Sequence, residues 1–279
     1  MAGVDRKDSH LALCLGEDVE SPARANGFGA LRFDHDALPE IDEESVTTEV
    51  ELLGNIGAVQ LNYGVGVSEI RRLVQAVRAD AFLFHLNPLQ EAIQPEGNTR
   101  FSALLPKLRE VAPAVGVPVL LKEVGAGISR TTALKIRELP VAGVETSGVG
   151  GTSWSKIESM RTADPVQRTT GELFARWGIP TVESIAVCRE VLDGRVVIGS
   201  GGIRNGIEVA KALALGADAA SLALPILRAA DRSVEEAILA LRRVIDELRT
   251  AMFVTGCRTV PELRRRALVR ARDFTAEEG

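Results

Sequence analysis

The chain has 279 residues, 46% hydrophobic and 25% charged, with a formal net charge of −5. That is enough apolar material for one large core, and the acidic balance excludes a general affinity for nucleic acid or anionic membrane, both of which select basic surfaces. Cys14, Cys188 and Cys257 are odd in number and lack metal-ligand spacing, so neither a disulfide framework nor a zinc site is expected.

Residues 1–50 are polar and irregular, and read as an extension or lid. They lack the apolar core of a signal peptide, and no uncharged run in the chain approaches the roughly 18 residues of a membrane span. A cytoplasmic protein without a membrane segment is expected. From Leu53 onward short apolar runs alternate with amphipathic segments, the pattern of parallel strands joined by helical crossovers. The predicted strands are Ala58 to Leu61, Ala81 to His85, Val117 to Lys122, Val141 to Glu145, Val196 to Gly199 and Ala219 to Leu222. Helices are expected near Val67 to Val77, Phe101 to Val111, Arg130 to Arg137, Gly171 to Trp177, Val182 to Val191, Gly206 to Leu215 and Val234 to Met252. In the last of these Ile238, Leu241, Ile245 and Leu248 mark one face. Residues 257–279 read as a C-terminal helix, Pro261 to Arg272, followed by an acidic tail.

A polar or glycine-rich cluster follows nearly every predicted strand, so the chemistry gathers at one end of the sheet, as in a (β/α) barrel. A doubly wound open sheet would instead gather it at one switch point. The predicted fold class is therefore α/β, an incomplete TIM-like barrel over residues 51–256 with about six of eight βα units.

Four clusters carry chemistry. His85-Leu-Asn-Pro-Leu-Gln-Glu91 sets an imidazole, two amides and a carboxylate at a strand mouth, where each needs a partner once buried. Pro88 ends the strand in a turn that aims Asn87, Gln90 and Glu91 at one ligand, with Glu91 suited to a hard cation such as Mg²⁺. Lys122 ends the next strand; either Glu123 or Glu145 neutralises it, or it faces an electron-rich cofactor. Gly148-Val-Gly-Gly-Thr-Ser-Trp154 and Ser200-Gly-Gly-Ile-Arg204 offer bare main-chain donors at consecutive strand positions, suited to a shared phosphate. Arg6, Lys7 and His10 form a small basic cluster that by itself reads as a solvated terminus.

In order along the chain these motifs resemble the type 2, FMN-dependent isopentenyl-diphosphate isomerases. The resemblance rests on Arg6 to His10, His35-Asp-Ala-Leu-Pro-Glu-Ile41, Leu53-Gly-Asn-Ile-Gly-Ala-Val-Gln60, His85 to Glu91, Lys122-Glu-Val-Gly125, Gly150-Gly-Thr-Ser-Trp154 and Ser200 to Arg204. The lysine and glycine elements recur in other FMN barrels such as 2-hydroxyacid oxidases; the His85 motif and the N-terminal cluster discriminate. The resemblance implies that FMN is bordered by Asn55, Lys122, Ser147, Thr152, Gly201, Gly202, Leu222 and Ala223. It further implies that Gln90, with His85 and Asn87, lines the catalytic pocket, that Glu91 binds Mg²⁺, and that Arg6, Lys7 and His10 close over a small-molecule diphosphate. NADPH as reductant and a homo-oligomer follow from the same likeness.

One departure stands out. Between the stretch resembling Ser45-Val-Thr-Thr-Glu-Val50 and the Leu-Gly-Asn motif, the family carries two strands, a flavin-contacting Met-Thr-Gly-Gly segment and a Gly-Ser-Gln-Arg segment. Here only 19 residues separate His35 from Asn55, too few for one βα unit. The expected activity is conversion of isopentenyl to dimethylallyl diphosphate. The alternatives are a catalytically silent remnant that keeps a diphosphate or subunit surface, and a flavin 2-hydroxyacid oxidase.

Overall fold

The computed structural model describes residues 51–269; the expected extension, with Arg6, Lys7 and His10, and the chain beyond 269 lie outside the described residues. Six parallel strands pair in chain order: β1 (Leu53–Gly57), β2 (Ala81–Leu86), β3 (Val119–Glu123), β4 (Gly143–Glu145), β5 (Val196–Gly199) and β6 (Ala219–Ala220). The predicted α/β sheet of six units is what forms. Among the described residues no ladder joins β6 back to β1, so the sheet has two free edges.

Two-residue alternation sends side chains to opposite faces. Leu83, Leu120, Ile198 and Ala219 pack on the inner face, with Leu53 and Ala81 against them. Phe82, Phe84, Leu121, Val144 and Val197 face outward. There they meet α1 (Val67–Val77), α3 (Leu104–Val111), α4 (Arg130–Arg137) and α7 (Thr181–Val191) through Ile70, Leu108, Ile136 and Cys188. Each such side chain contributes roughly 1.5–3 kcal/mol by leaving water. A second cluster joins α8 (Gly206–Ala214), α9 (Leu224–Ala230), α10 (Val234–Val254) and α11 (Val260–Arg264) around Val209, Leu213, Ile226, Val244 and Leu263.

Several local expectations are corrected. The first strand is Leu53–Gly57, and Ala58–Asn62 is a 3-10 turn. The reason is steric: a Cβ at Gly54 would lie 3.1 Å from the Phe82 ring and one at Gly57 would lie 3.1 Å from His85 Nε2. The glycine-bearing segment therefore lies beside β2, while Ala58, Val59 and Leu61 bury themselves past the sheet end. The expected turn at Pro88 is α2 (Pro88–Ile93), with proline pre-set for the first turn. α5 (Trp154–Arg161) escapes a periodicity search because it buries Ser155, Glu158 and Ser159 rather than an apolar stripe. The helix expected at Gly171 to Trp177 is instead α6 (Pro165–Leu173), started by Asp164, whose carboxylate accepts from Val166 N. No described helix is long and apolar enough to cross a membrane.

α8 and α10 touch backbone to backbone at Gly206, where an added Cβ would lie 2.3 Å from Leu248 N and 2.5 Å from Val244 O. Gly206→Val is expected to cost about 1–3 kcal/mol, read as a lower urea midpoint by circular dichroism.

Candidate active site

Parallel register sets one inner-face row across the C-terminal ends of the strands. Gly57 pairs with His85, His85 with Lys122, Lys122 with Glu145, Glu145 with Ile198 and Ile198 with Ala219. Three ionisable side chains therefore stand side by side on β2, β3 and β4. Lys122 Nζ lies 3.6 Å from Glu145 Oε2, and the Glu145 side chain is 4% exposed. That distance is an ion pair rather than a hydrogen bond, and Oε2 has no hydrogen-bond donor among the described residues. Glu123, the other expected partner of Lys122, is committed elsewhere. Its Oε2 accepts from the N–H groups of Gly125 (2.7 Å), Ala126 (2.5 Å) and Gly127 (3.0 Å), fastening the loop after β3. Burial pushes the Glu123 carboxyl upward, and these bonds oppose the shift.

His85 is buried, and its Nδ1 lies 3.2 Å from Asn55 Oδ1. We assign the proton to Nδ1, since a carboxamide oxygen accepts, which leaves Nε2 as an acceptor. Burial, reinforced by the Lys122 charge, pushes the imidazole down to about 3. It is neutral at physiological pH.

Beyond the row, α2 and α5 share a polar chain. Asn87 Nδ2 donates to Gln90 Oε1 (3.3 Å) and Glu91 Oε1 (2.9 Å), and Gln90 Nε2 donates to Glu158 Oε1 (3.4 Å). Arg161 Nη1 donates to both oxygens of the buried Glu158 at 3.3 Å. The second oxygen of Glu91 accepts from Asn98 N at 2.5 Å. Asn87 Oδ1 is buried without a donor among the described residues.

The two glycine loops touch. A Cβ on Gly202 would fall 2.2 Å from Gly150 O, and one on Gly201 would fall 2.6 Å from Gly148 N. Both glycines have positive φ, at 86° and 101°. Ser147, itself at φ 51°, donates its N–H to Ser200 Oγ (2.9 Å), and Thr181 Oγ1 donates to Gly201 O (2.6 Å). Arg204 clamps the loops by donating to Gly202 O (2.5 Å) and Gly150 O (2.7 Å), so its guanidinium is not turned to an anion. No backbone acceptor for the N–H of Gly201 or Gly202 is found among the described residues.

A cavity of about 40 Å³ is lined by Asn87, Gln90, Glu123, Gly125, Thr152 and Trp154. It holds a water or two rather than a ligand, and forms a side chamber. A larger groove of about 960 Å³ lies outside, between α8, α9 and α10, and none of the predicted site residues lines it. Buried volume thus does not mark the site; the strand ends do.

A family model described as FMN-dependent dehydrogenase matches residues 90–270. An isopentenyl-diphosphate delta-isomerase of Rickettsia peacockii is 35% identical over 328 positions, covering 93% of this chain and 96% of that one. The chain belongs to the FMN-dependent isopentenyl-diphosphate delta-isomerase family. A family member from a Synechococcus species is 45% identical over 235 residues, 84% of this chain and 68% of the relative, a match that runs almost without a gap. The 328 positions of the Rickettsia match exceed the 279 residues here, so at least 49 of them (328 less 279) are absent from this chain. A mandelate oxidase structure superposes with a TM-score of 0.55 at 20% identity, covering 77% of this chain, which spans 62% of that one. That likeness shows the fold alone.

For FMN, the test lies in the glycine loops: the two pack backbone against backbone as only glycine permits, and the half-buried Gly201 and Gly202 keep N–H groups without a backbone acceptor among the described residues, the donor set a phosphate uses. The residues present fit the cofactor. The structure brings His85 and Lys122 to the strand ends, Asn55 to the middle of β1 at the level of Leu83 with its side chain against His85, Ser147, Gly201 and Gly202 to the loops, and buried Leu222 and exposed Ala223 to the chain after β6. Asn87, Gln90, Glu91 and Thr152 stand along the α2–α5 side. Sequence reasoning overlooked Glu158, since nothing in Trp154 to Arg161 announces a buried carboxylate, and it did not decide for Glu145.

The folded value for His85 lies below the ordinary 6.5. Between about 6.5 and about 3 the unfolded chain therefore binds the extra proton, and stability falls as pH drops through that window. His85→Gln is expected to flatten this part of the stability profile, measured by urea titrations at stepped pH. An unchanged slope would mean that His85 charges in the folded state.

Proposed function

We propose that the chain isomerises isopentenyl diphosphate to dimethylallyl diphosphate, using FMN held at the strand ends. The observation that carries this reading is the charged inner row beside the glycine cradle, in a chain 35% identical over nearly its whole length to a protein of that name. Moving the double bond adds a proton at the terminal carbon and removes one from the carbon on the far side of the branch. The alkene is unactivated, so the site needs a strong acid–base centre and a dry, charge-stabilising wall. When bound and reduced by NADPH, FMN supplies that acid–base centre.

The chain's own residues position and neutralise. The cradle of Ser147, Gly201 and Gly202 would take the FMN phosphate, and Lys122 and Asn55 would face its ring system, with Thr152, Leu222 and Ala223 at its border. Gln90 has its amide orientation fixed at both ends, by Asn87 and by Glu158, and so can hold the alkene end of the substrate in one pose. Neutral His85 adds a hydrogen-bond acceptor without a second cation beside Lys122. Glu91 would share Mg²⁺ with the diphosphate; no described group of three acidic, histidine or cysteine side chains forms a metal cage, and Mg²⁺ commonly takes only one or two carboxylates plus phosphate oxygens. Arg6, Lys7 and His10 complete the diphosphate site in this proposal, and cytoplasmic placement and a homo-oligomer belong to it as well.

A second reading, a silent remnant that retains a diphosphate surface, is favoured by one observation: the free edges of β1 and β6, in a chain lacking at least 49 positions of its relative (328 less 279). Purified protein supplied with FMN, NADPH and Mg²⁺ is expected to turn yellow and to form dimethylallyl diphosphate. Gln90→Ala and Glu91→Ala are each expected to lower kcat by about tenfold or more with circular dichroism unchanged. A colourless protein that still binds dimethylallyl diphosphate by calorimetry would decide for the remnant.

A further inference from the structure

The strand-end row contains a carboxylate to which the proposed reaction gives no role. Glu145 is 3% exposed, ends β4, and has one oxygen with no hydrogen-bond donor among the described residues. A buried carboxylate in that state persists only where a neighbouring cation balances it. That cation is Lys122, 3.6 Å away on the next strand at the same register. The other row positions add no charge: Gly57 on β1, neutral His85 on β2, Ile198 on β5 and Ala219 on β6. Glu123 on β3 is held by its own loop, and Asn55 on β1 is an amide.

We infer that Glu145 is a positioning residue that acts through Lys122, keeping the ammonium charged and directed across the mouth of the sheet. The geometry favours this over a plain structural pair. A pair optimised for stability closes to hydrogen-bond contact, near 2.7–2.9 Å for charged partners. Here the two groups stand 3.6 Å apart, wider than that contact. Removing the carboxylate while leaving the amide's shape should strip the row of its balance and make Lys122 release its proton more readily. What Lys122 faces rests on the proposed FMN reading; the pairing itself does not.

The test uses the full chain and two readouts. Competitive acylation of Lys122 across pH, followed by peptide mass spectrometry, reports when the amine loses its proton. FMN titration by flavin fluorescence over the same range reports when affinity is lost. For Glu145→Gln both transitions are expected to move down by about one pH unit or more, a tenfold change in the protonation equilibrium, while Glu145→Asp stays near the parent chain. A Gln variant whose Lys122 profile matches the parent overturns the inference. If the acylation profile shifts and neither protein binds FMN, the inference stands and the cofactor reading fails. Should Glu145→Gln not fold, the double variant Lys122→Met with Glu145→Gln decides. Recovered folding supports charge balance, and a double variant no better than the single one refutes it.

Discussion

A parallel sheet fixes which side chains share a row, and everything at this site follows from one row. Because neighbouring strands run the same way, a residue two positions from an inward leucine also points inward, and its register partners do likewise. Leu83 and Leu120 lie in the inner apolar layer, so His85 and Lys122 rise above them, with Glu145 at the same level on β4. The charges are thus held on strands rather than on loops, where a site is most exactly oriented. Their mutual electrostatics are set by the same placement: Lys122 lies between a carboxylate that balances it and an imidazole that it helps keep neutral.

The same topology creates the chain's weakness. In a closed barrel the last strand would pair with the first and leave no edge. Here β1 and β6 each have one free side among the described residues, and the relatives carry positions that this chain lacks. The inner layer is correspondingly thin, with Leu83, Leu120, Ile198 and Ala219 as its buried members. Most of the packing lies instead between the outer face and the helices, where Phe82, Phe84, Leu121 and Val144 meet several helices at once. The outer layer therefore supplies most of the cohesion, and the inner face is left to carry the site.

Much of this was legible in the sequence because it is local. β5 was found to the residue, the alternation of six strands with helices was correct, and the polar clusters do gather at one end of the sheet. What failed had physical causes. β1 was shifted toward Ala58 because hydrophobicity marks burial rather than strand, and the true strand is rich in glycine so that Phe82 and His85 can approach. α2 has six residues, too few for a helical period to register. The choice between Glu123 and Glu145 as partner of Lys122 depends on register between strands and on how one loop folds back, neither of which is written in a neighbouring residue.

The parts of the candidate site are not braced alike. The polar chain from Asn87 through Gln90 to Glu158 and Arg161 runs between α2 and α5, using bonds that cross neither free edge. The glycine loops are likewise braced internally, by Ser200, Thr181 and Arg204. Asn55 differs, because it stands on the edge strand and leans on His85 alone among the described side chains. The α2–α5 chain and the glycine loops thus carry their own bracing, and the edge strand β1 is where the bracing is thinnest among the described residues.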